Sequence, residues 1–158
     1  MNVLEAVQRR RGIRKYESRP VELEKLLQVL EAGRLSPSAA NKQPWHFAVV
    51  KDVKVKVKLR AGYDDDWFMS APIIIVVCAD PSVAWRRWDD GEIWKIDGAI
   101  ALQTMVLYAW EVELGTCWIC AFKEQAIKDA LGIPEGVRVV AMTPLGYPAE
   151  GKGMVTDL

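Results

Sequence analysis

The chain has 158 residues, 51% of them apolar, and carries 21 basic and 21 acidic side chains. That is enough chain for one proper core and too little for two comfortable ones. Balanced charge excludes an overall field that would draw nucleic acid or an anionic membrane, so any anion site must be local. The segment from Met1 to Val7 reaches Glu5 too early for a secretory leader, and the longest apolar stretch, Ala71 to Ala79, is too short to span a bilayer. A cytoplasmic protein is expected, with one domain over residues 1–158, a short C-terminal tail at 151–158 and no nucleic-acid or membrane partner. The three cysteines, Cys78, Cys117 and Cys120, lie among apolar neighbours, which suits reduced thiols.

Asn2 followed by Glu5 reads as a capping box opening a short helix with Val3, Leu4 and Val7 on one side. The run Arg9 to Tyr16 is dense in charge and interrupted by Gly12, so it reads as irregular. Leu23, Leu26, Leu27 and Leu30 recur at helical spacing after Pro20, predicting a second amphipathic helix that ends near Gly33. Ser36 to Pro44 is rich in turn formers, and Phe47 to Val50 reads as a strand. Over Val53 to Leu59 valine alternates with lysine, which fits an edge strand; Asp52 as an N-cap equally allows a helix. Pro72 to Ala79 reads as a strand buried on both faces, closed by the turn Asp80-Pro81. Asp97 is expected to cap a long helix running to Leu114 and stopped by Gly115, apolar around most of its circumference. Thr116 to Ile119 reads as a short strand, Gln125 to Leu131 as a helix ended by Gly132, and Val137 to Leu145 as a last strand.

Four segments, in matching order and spacing, resemble the nitroreductase family: Arg10-Arg11-Gly12-Ile13-Arg14-Lys15-Tyr16, Pro37-Ser38-Ala39-Ala40-Asn41-Lys42-Gln43-Pro44-Trp45, Thr116-Cys117-Trp118-Ile119-Cys120-Ala121-Phe122 and Leu145-Gly146-Tyr147-Pro148-Ala149-Glu150. The resemblance spans about Asn2 to Glu150. It implies an α+β fold with a mixed, largely antiparallel sheet flanked by helices, and an intertwined homodimer with an FMN at each of two interface sites. It also implies an enzyme: electrons pass from NAD(P)H to small electron-poor acceptors such as nitroaromatics or quinones. For residues 53–59 it favours the helix.

Chemistry supports these roles. Guanidinium groups grip a phosphate through paired, charge-assisted hydrogen bonds, which Arg10, Arg11 and Arg14 can supply. Gly12 lets the backbone pass close to the phosphate, although the family more often has serine there. Asn41 and Gln43 suit the amide-like edge of the isoalloxazine or the ribityl hydroxyls, and the resemblance adds Pro37, Ser38 and Ala39. It also puts the backbone of Ile119, Cys120 and Ala121 beside the flavin N5, at a place where members often have Gly or Glu instead of Cys120. Many members continue past the Gly-Tyr-Pro segment with a basic residue that reaches the phosphate. Here only Lys152 offers such a contact, which implies weaker FMN binding or a smaller dimer contact. No side chain is assigned as a general acid or base, because the redox chemistry belongs to the cofactor.

Other readings compete. The arginines could form a solvated surface patch, and the 37–44 segment an ordinary turn. A flavin carrier or interaction module without turnover would share the fold. Cys117-Trp118-Ile119-Cys120 has redox spacing, but it lies in a β-favouring run rather than at the start of a helix, where a thioredoxin-type motif belongs. A structural zinc site would want four ligands from three cysteines and the lone His46. His46 itself is expected to pack structurally. Trp85, Trp88 and Trp94 either pack down the loop before the central helix or shape a planar substrate.

Overall fold

A computed structural model describes residues 2–89 and 91–149; Glu150, Lys152 and the expected tail at 151–158 lie outside the described residues. Helix α1, Val3–Arg9, starts at the predicted capping box: the Asn2 side chain accepts from the Glu5 N–H, and the Glu5 carboxylate accepts from the Asn2 N–H. Helix α2 covers Leu23–Arg34. A 3-10 turn at Ala39–Asn41 leads into β1, Trp45–Val50. Residues 53–59 form helix α3, Val53–Leu59, because the Asp52 carboxylate accepts from the Lys54 and Val55 N–H groups and fixes the first turn. A short helix α4, Asp66–Ser70, carries no strong sequence signal. Strand β2, Ile73–Ala79, is buried throughout, as its unbroken apolar run predicts.

Helix α5 spans Ile93–Glu111, starting four residues before the expected Asp97 cap. Its end also differs. Glu113 adopts a left-handed φ of 67° and the Leu114 N–H donates back to Ala109, so Gly115 is free to enter strand β3, Gly115–Thr116. The expected strand through Ile119 is thus split, resuming only as an Ile119–Met142 bridge. Helix α6, Glu124–Leu131, ends at Gly132 in the left-handed conformation, and β4 covers Arg138–Gly146.

The four strands pair antiparallel in the order β1-β2-β4-β3, and a parallel bridge joins Gly12 to Thr116. Alternation along β2 divides the core. Ile73, Ile75 and Val77 pack with Leu26 and Val29 of α2 and with Leu102, Met105 and Val106 of α5. Ile74, Val76 and Cys78 pack with Leu59 of α3, Phe68 of α4 and Ile127 of α6. Helices therefore cover both faces, at roughly 1.5–3 kcal/mol of stabilisation for each large side chain withdrawn from water. No helix among the described residues is long and apolar enough to cross a membrane.

Candidate functional site

The arginine segment is held against the end of the sheet. The Ile13 N–H donates to the Thr116 carbonyl at 2.8 Å, and Ile13 is buried with Tyr16 and Ala71. The Tyr16 hydroxyl donates to the Ile13 carbonyl at 2.6 Å; burial, reinforced by the nearby Cys117, pushes its ionisation well above the ordinary tyrosine range, so it remains a donor. Close approach is possible because residue 115 is glycine, where a Cβ would lie 2.7 Å from Ile13 Cγ1. At Gly12, by contrast, a Cβ would make an ordinary 3.5 Å contact with Cys117 Sγ, so a side chain would fit. The three arginines then diverge. Arg11 turns back to donate to the Gln8 and Arg10 carbonyls at the C-terminal end of α1. Arg10 is half-buried and Arg14 is exposed, the Arg14 guanidinium lying 5.7 Å from the centroid of the Trp67 ring.

The bridge at Gly12 sets this segment beside Thr116 and Cys117, where the 116–121 run begins. The Cys117 N–H donates to Thr143 Oγ1, and the Ile119 N–H to the Met142 carbonyl. Past that point the chain leaves the sheet. Cys120 and Ala121 are exposed, and no partner is found for either N–H among the described residues. Two adjacent unpaired donors form a place where an electron-rich acceptor can bind.

The Pro37–Gln43 turn is strained. Ala40, Asn41 and Gln43 have φ of 48°, 52° and 49°, a conformation that costs a non-glycine residue roughly 1–2 kcal/mol. The Gln43 N–H donates to Ser38 Oγ at 2.9 Å, and the Gln43 side-chain amide donates to Asn41 Oδ1 at 2.8 Å. From outside, the Ala39 N–H donates to Asp97 Oδ1 at 2.9 Å. The sequence pattern places Asp97 at the start of its own helix; it lies instead inside α5 and caps the distant 3-10 turn. An acidic residue in an otherwise apolar helical run was the available signal.

These anchors separate the candidate residues into two groups. The turn is tied to α5 at Asp97, whereas the arginine segment meets Thr116 near its far end, where Leu114 is bonded back to Ala109; from Thr116 the chain runs back along α5, Trp118 Nε1 donating to Gln103 Oε1. At ~1.5 Å per residue the two positions lie about 18 Å apart along the helix. One chain therefore holds Arg10, Gly12 and Arg14 near one end of α5 and Pro37, Ser38, Ala39, Asn41 and Gln43 near the other, with Ile119, Cys120 and Ala121 on the run that leads away from the Gly12–Thr116 bridge.

Two further expectations are resolved by burial. His46 is exposed on the edge strand β1 rather than packed, its neighbour Trp45 taking the inward position. Among the loop tryptophans, Trp94 is buried in α5 with Arg138 and Lys95 over its ring, Trp85 is half-buried, and Trp88 is 98% exposed.

Comparison with known proteins gives one answer. The model of the nitroreductase family matches residues 7–63 and 56–147. A protein of Archaeoglobus fulgidus that carries the provisional name NADH dehydrogenase/NAD(P)H nitroreductase is 34% identical over 154 residues, covering 94% of this chain and 87% of the relative. The crystal structure of a nitroreductase family protein from Clostridium novyi NT superposes with a TM-score of 0.89 at 35% identity, covering 98% of this chain and 89% of that one. An FMN-dependent nitroreductase from Clostridium difficile R20291 does so with a TM-score of 0.81 at 30% identity, covering 98% and 92%. Matched across nearly its whole length in sequence and in fold, the chain belongs to the nitroreductase family.

Proposed function

We propose that the protein is a homodimeric FMN-dependent oxidoreductase that takes electrons from NAD(P)H and delivers them to small electron-poor acceptors such as nitroaromatics or quinones. The observation that carries the reading is the Gly12–Thr116 bridge, which joins the arginine segment to the run that leads, past the Ile119–Met142 bridge, to the unpaired Cys120 and Ala121 N–H groups. This donor set fits FMN: cations for a terminal phosphate at one end, main-chain donors for a ring that gains negative charge on reduction at the other. Arg10 and Arg14 would hold the phosphate, while Arg11, engaged with the end of α1, would add charge at longer range. No Gly-x-Gly-x-x-Gly dinucleotide turn is present in the sequence, which favours FMN over FAD.

When bound, FMN supplies the hydride-accepting and electron-donating chemistry. The chain's own contribution is to orient and desolvate. The Cys120 and Ala121 N–H groups would favour the electron-rich state of a ring beside them, and Asn41 and Gln43 offer amides to its polar edge. Because the Pro37–Gln43 turn lies about 18 Å along α5 from the arginine segment, that turn would come from the partner subunit. An apolar groove of about 940 Å³ along α2 and α5, lined by Leu23, Leu27, Leu35 and Tyr108, supports a second copy as its cover.

The test is anaerobic bleaching. Purified protein should be yellow, lose its colour on addition of NADH or NADPH, recover it when a quinone is added, and release FMN on denaturation. Yellow protein that neither nucleotide bleaches would mark a flavin carrier. Colourless protein that reduces insulin disulfides would mark a thiol enzyme.

A further inference from the structure

We propose that Asp97 is a positioning residue of the cofactor site: from inside α5 it fixes the Ser38–Gln43 turn in the shape that receives the flavin. The inference rests on the FMN reading given above.

The turn holds three non-glycine residues in the left-handed region, Ala40, Asn41 and Gln43. Such a conformation persists only where its surroundings over-determine it. The bonds among Ser38, Ala39, Asn41, Lys42 and Gln43 are internal to the turn, so they set its shape without fixing it to the fold. Among the described residues, the hydrogen bond that ties it to the rest of the molecule is Ala39 N–H to Asp97 Oδ1, 58 residues away in sequence. Asp97 is thus the joint between the rigid central helix and the segment that carries Ser38, Asn41 and Gln43.

The joint is an expensive one. Asp97 is 1% exposed, and its second oxygen, Oδ2, is buried with no hydrogen-bond partner among the described residues. Burial pushes its carboxyl above the usual range. A buried acid with one unsatisfied oxygen destabilises a fold relative to a neutral group. Its placement is explained by what it holds: a carboxylate is a stronger acceptor for a single N–H than a neutral oxygen, and it stands where the strained turn needs an external anchor. A turn already held in its bound shape loses less freedom when a ligand arrives, and so binds it more tightly.

The experiment compares wild type, Asp97→Ala and Asp97→Asn by flavin-fluorescence titration with FMN and by thermal unfolding of the apoproteins. Removing the acceptor in Asp97→Ala should weaken FMN binding about 10- to 100-fold in protein that thermal unfolding shows to be folded. Asp97→Asn keeps an acceptor oxygen and should bind FMN more tightly than Asp97→Ala. A purely structural role gives a lower melting temperature for Asp97→Ala with unchanged affinity in the folded protein, and would overturn the proposal. Wild type that binds no FMN would overturn the cofactor reading itself and the inference with it. Hydrogen exchange of the wild-type apoprotein needs no variant to fold. Slow exchange at the Ala39 amide supports a preformed joint, and exchange at the rate of a free peptide refutes it.

Discussion

The Arg14 guanidinium lies over the Trp67 ring, 5.7 Å from its centroid, without a carboxylate partner among the described residues. The acids just before Trp67 are otherwise engaged: Asp64 and Asp66 both pair with Arg60, at 2.5 and 2.7 Å, and Asp65 accepts from the Trp67 N–H. Trp67 sits in α4, half-buried against Tyr63 and Phe68. The ring therefore gives Arg14 a platform that leaves its planar donor fork open.

From this follows a prediction for the phosphate site. Arg14→Ala should lose about 2–4 kcal/mol of FMN binding, on the order of thirty- to a thousandfold in affinity, because a charge-assisted contact with a partly buried dianion is removed. Arg14→Lys should fall between, a point charge replacing a fork. Arg14→Ala should purify largely colourless yet regain turnover when excess FMN is supplied. Fluorescence titration beside NAD(P)H oxidation at saturating FMN measures both. Wild-type affinity in Arg14→Ala would refute the phosphate role, and an FMN-saturated variant that cannot be reduced would move the residue to the ring.

The dimer has its own test. Leu27 is 54% exposed on α2, in the apolar groove it shares with Leu23, Leu35 and Tyr108. Light scattering of the wild type at micromolar concentration should give twice 17.8 kDa. Leu27→Glu sets a charge where apolar surfaces would meet, so it should shift the protein toward monomer and lower flavin content in parallel. A flavin-loaded Leu27→Glu monomer would refute both the interface and the shared site.

Much of this was legible in the sequence, for identifiable reasons. Patterns resting on one local interaction gave the right element: Asn2 with Glu5 at α1, the β-branched run at β2, and Gly132 at the end of α6. Residues 53–59 show where periodicity fails, since the alternating valines are largely exposed while Lys56 is buried, its ammonium donating to the Ala71 carbonyl at 2.9 Å. A lysine anchored in this way cannot be told from a solvated one by spacing. The four family segments were read in order, but their separation into two groups depends on Ala39 meeting Asp97 and Gly12 meeting Thr116. Both contacts join residues far apart in the chain, and neither has a local signature.

Acid should act through Glu22. The Tyr147 hydroxyl donates to Glu22 Oε2 at 2.5 Å and, with the backbone N–H and Arg19, holds that carboxyl down to about 2 from an ordinary 4.5. Because the folded-state value is depressed, the stabilisation is fully present above about pH 4.5 and is lost as pH falls toward about 2. Tyr147→Phe removes the largest cause. Thermal unfolding of both proteins at neutral pH and through this acidic window should show a smaller acid-induced fall in Tm for the variant. Equal falls would mean that the Glu22 contact is not formed in solution.

Thiol chemistry separates the remaining readings. Cys78 is buried in β2, and burial, aided by Glu124, pushes its thiol up to about 11, so little thiolate exists near neutrality. Cys117 is buried between Gly12 and the core, while Cys120 is exposed. The motif does not open a helix, since α6 begins only at Glu124. A thiol reagent should therefore label one cysteine promptly in the native protein, identified by peptide mapping as Cys120, and reach Cys78 and Cys117 only on unfolding. A dithiol cycle would need both sulfurs of the Cys117–Cys120 pair, breaking a substrate disulfide and leaving the pair oxidised. Cys117→Ala removes one of them and leaves every proposed flavin contact in place, so NAD(P)H oxidation should persist at the wild-type level. Loss of that activity in a folded, flavin-loaded Cys117→Ala, together with prompt labelling of Cys117 in the wild type, would establish the thiol route instead.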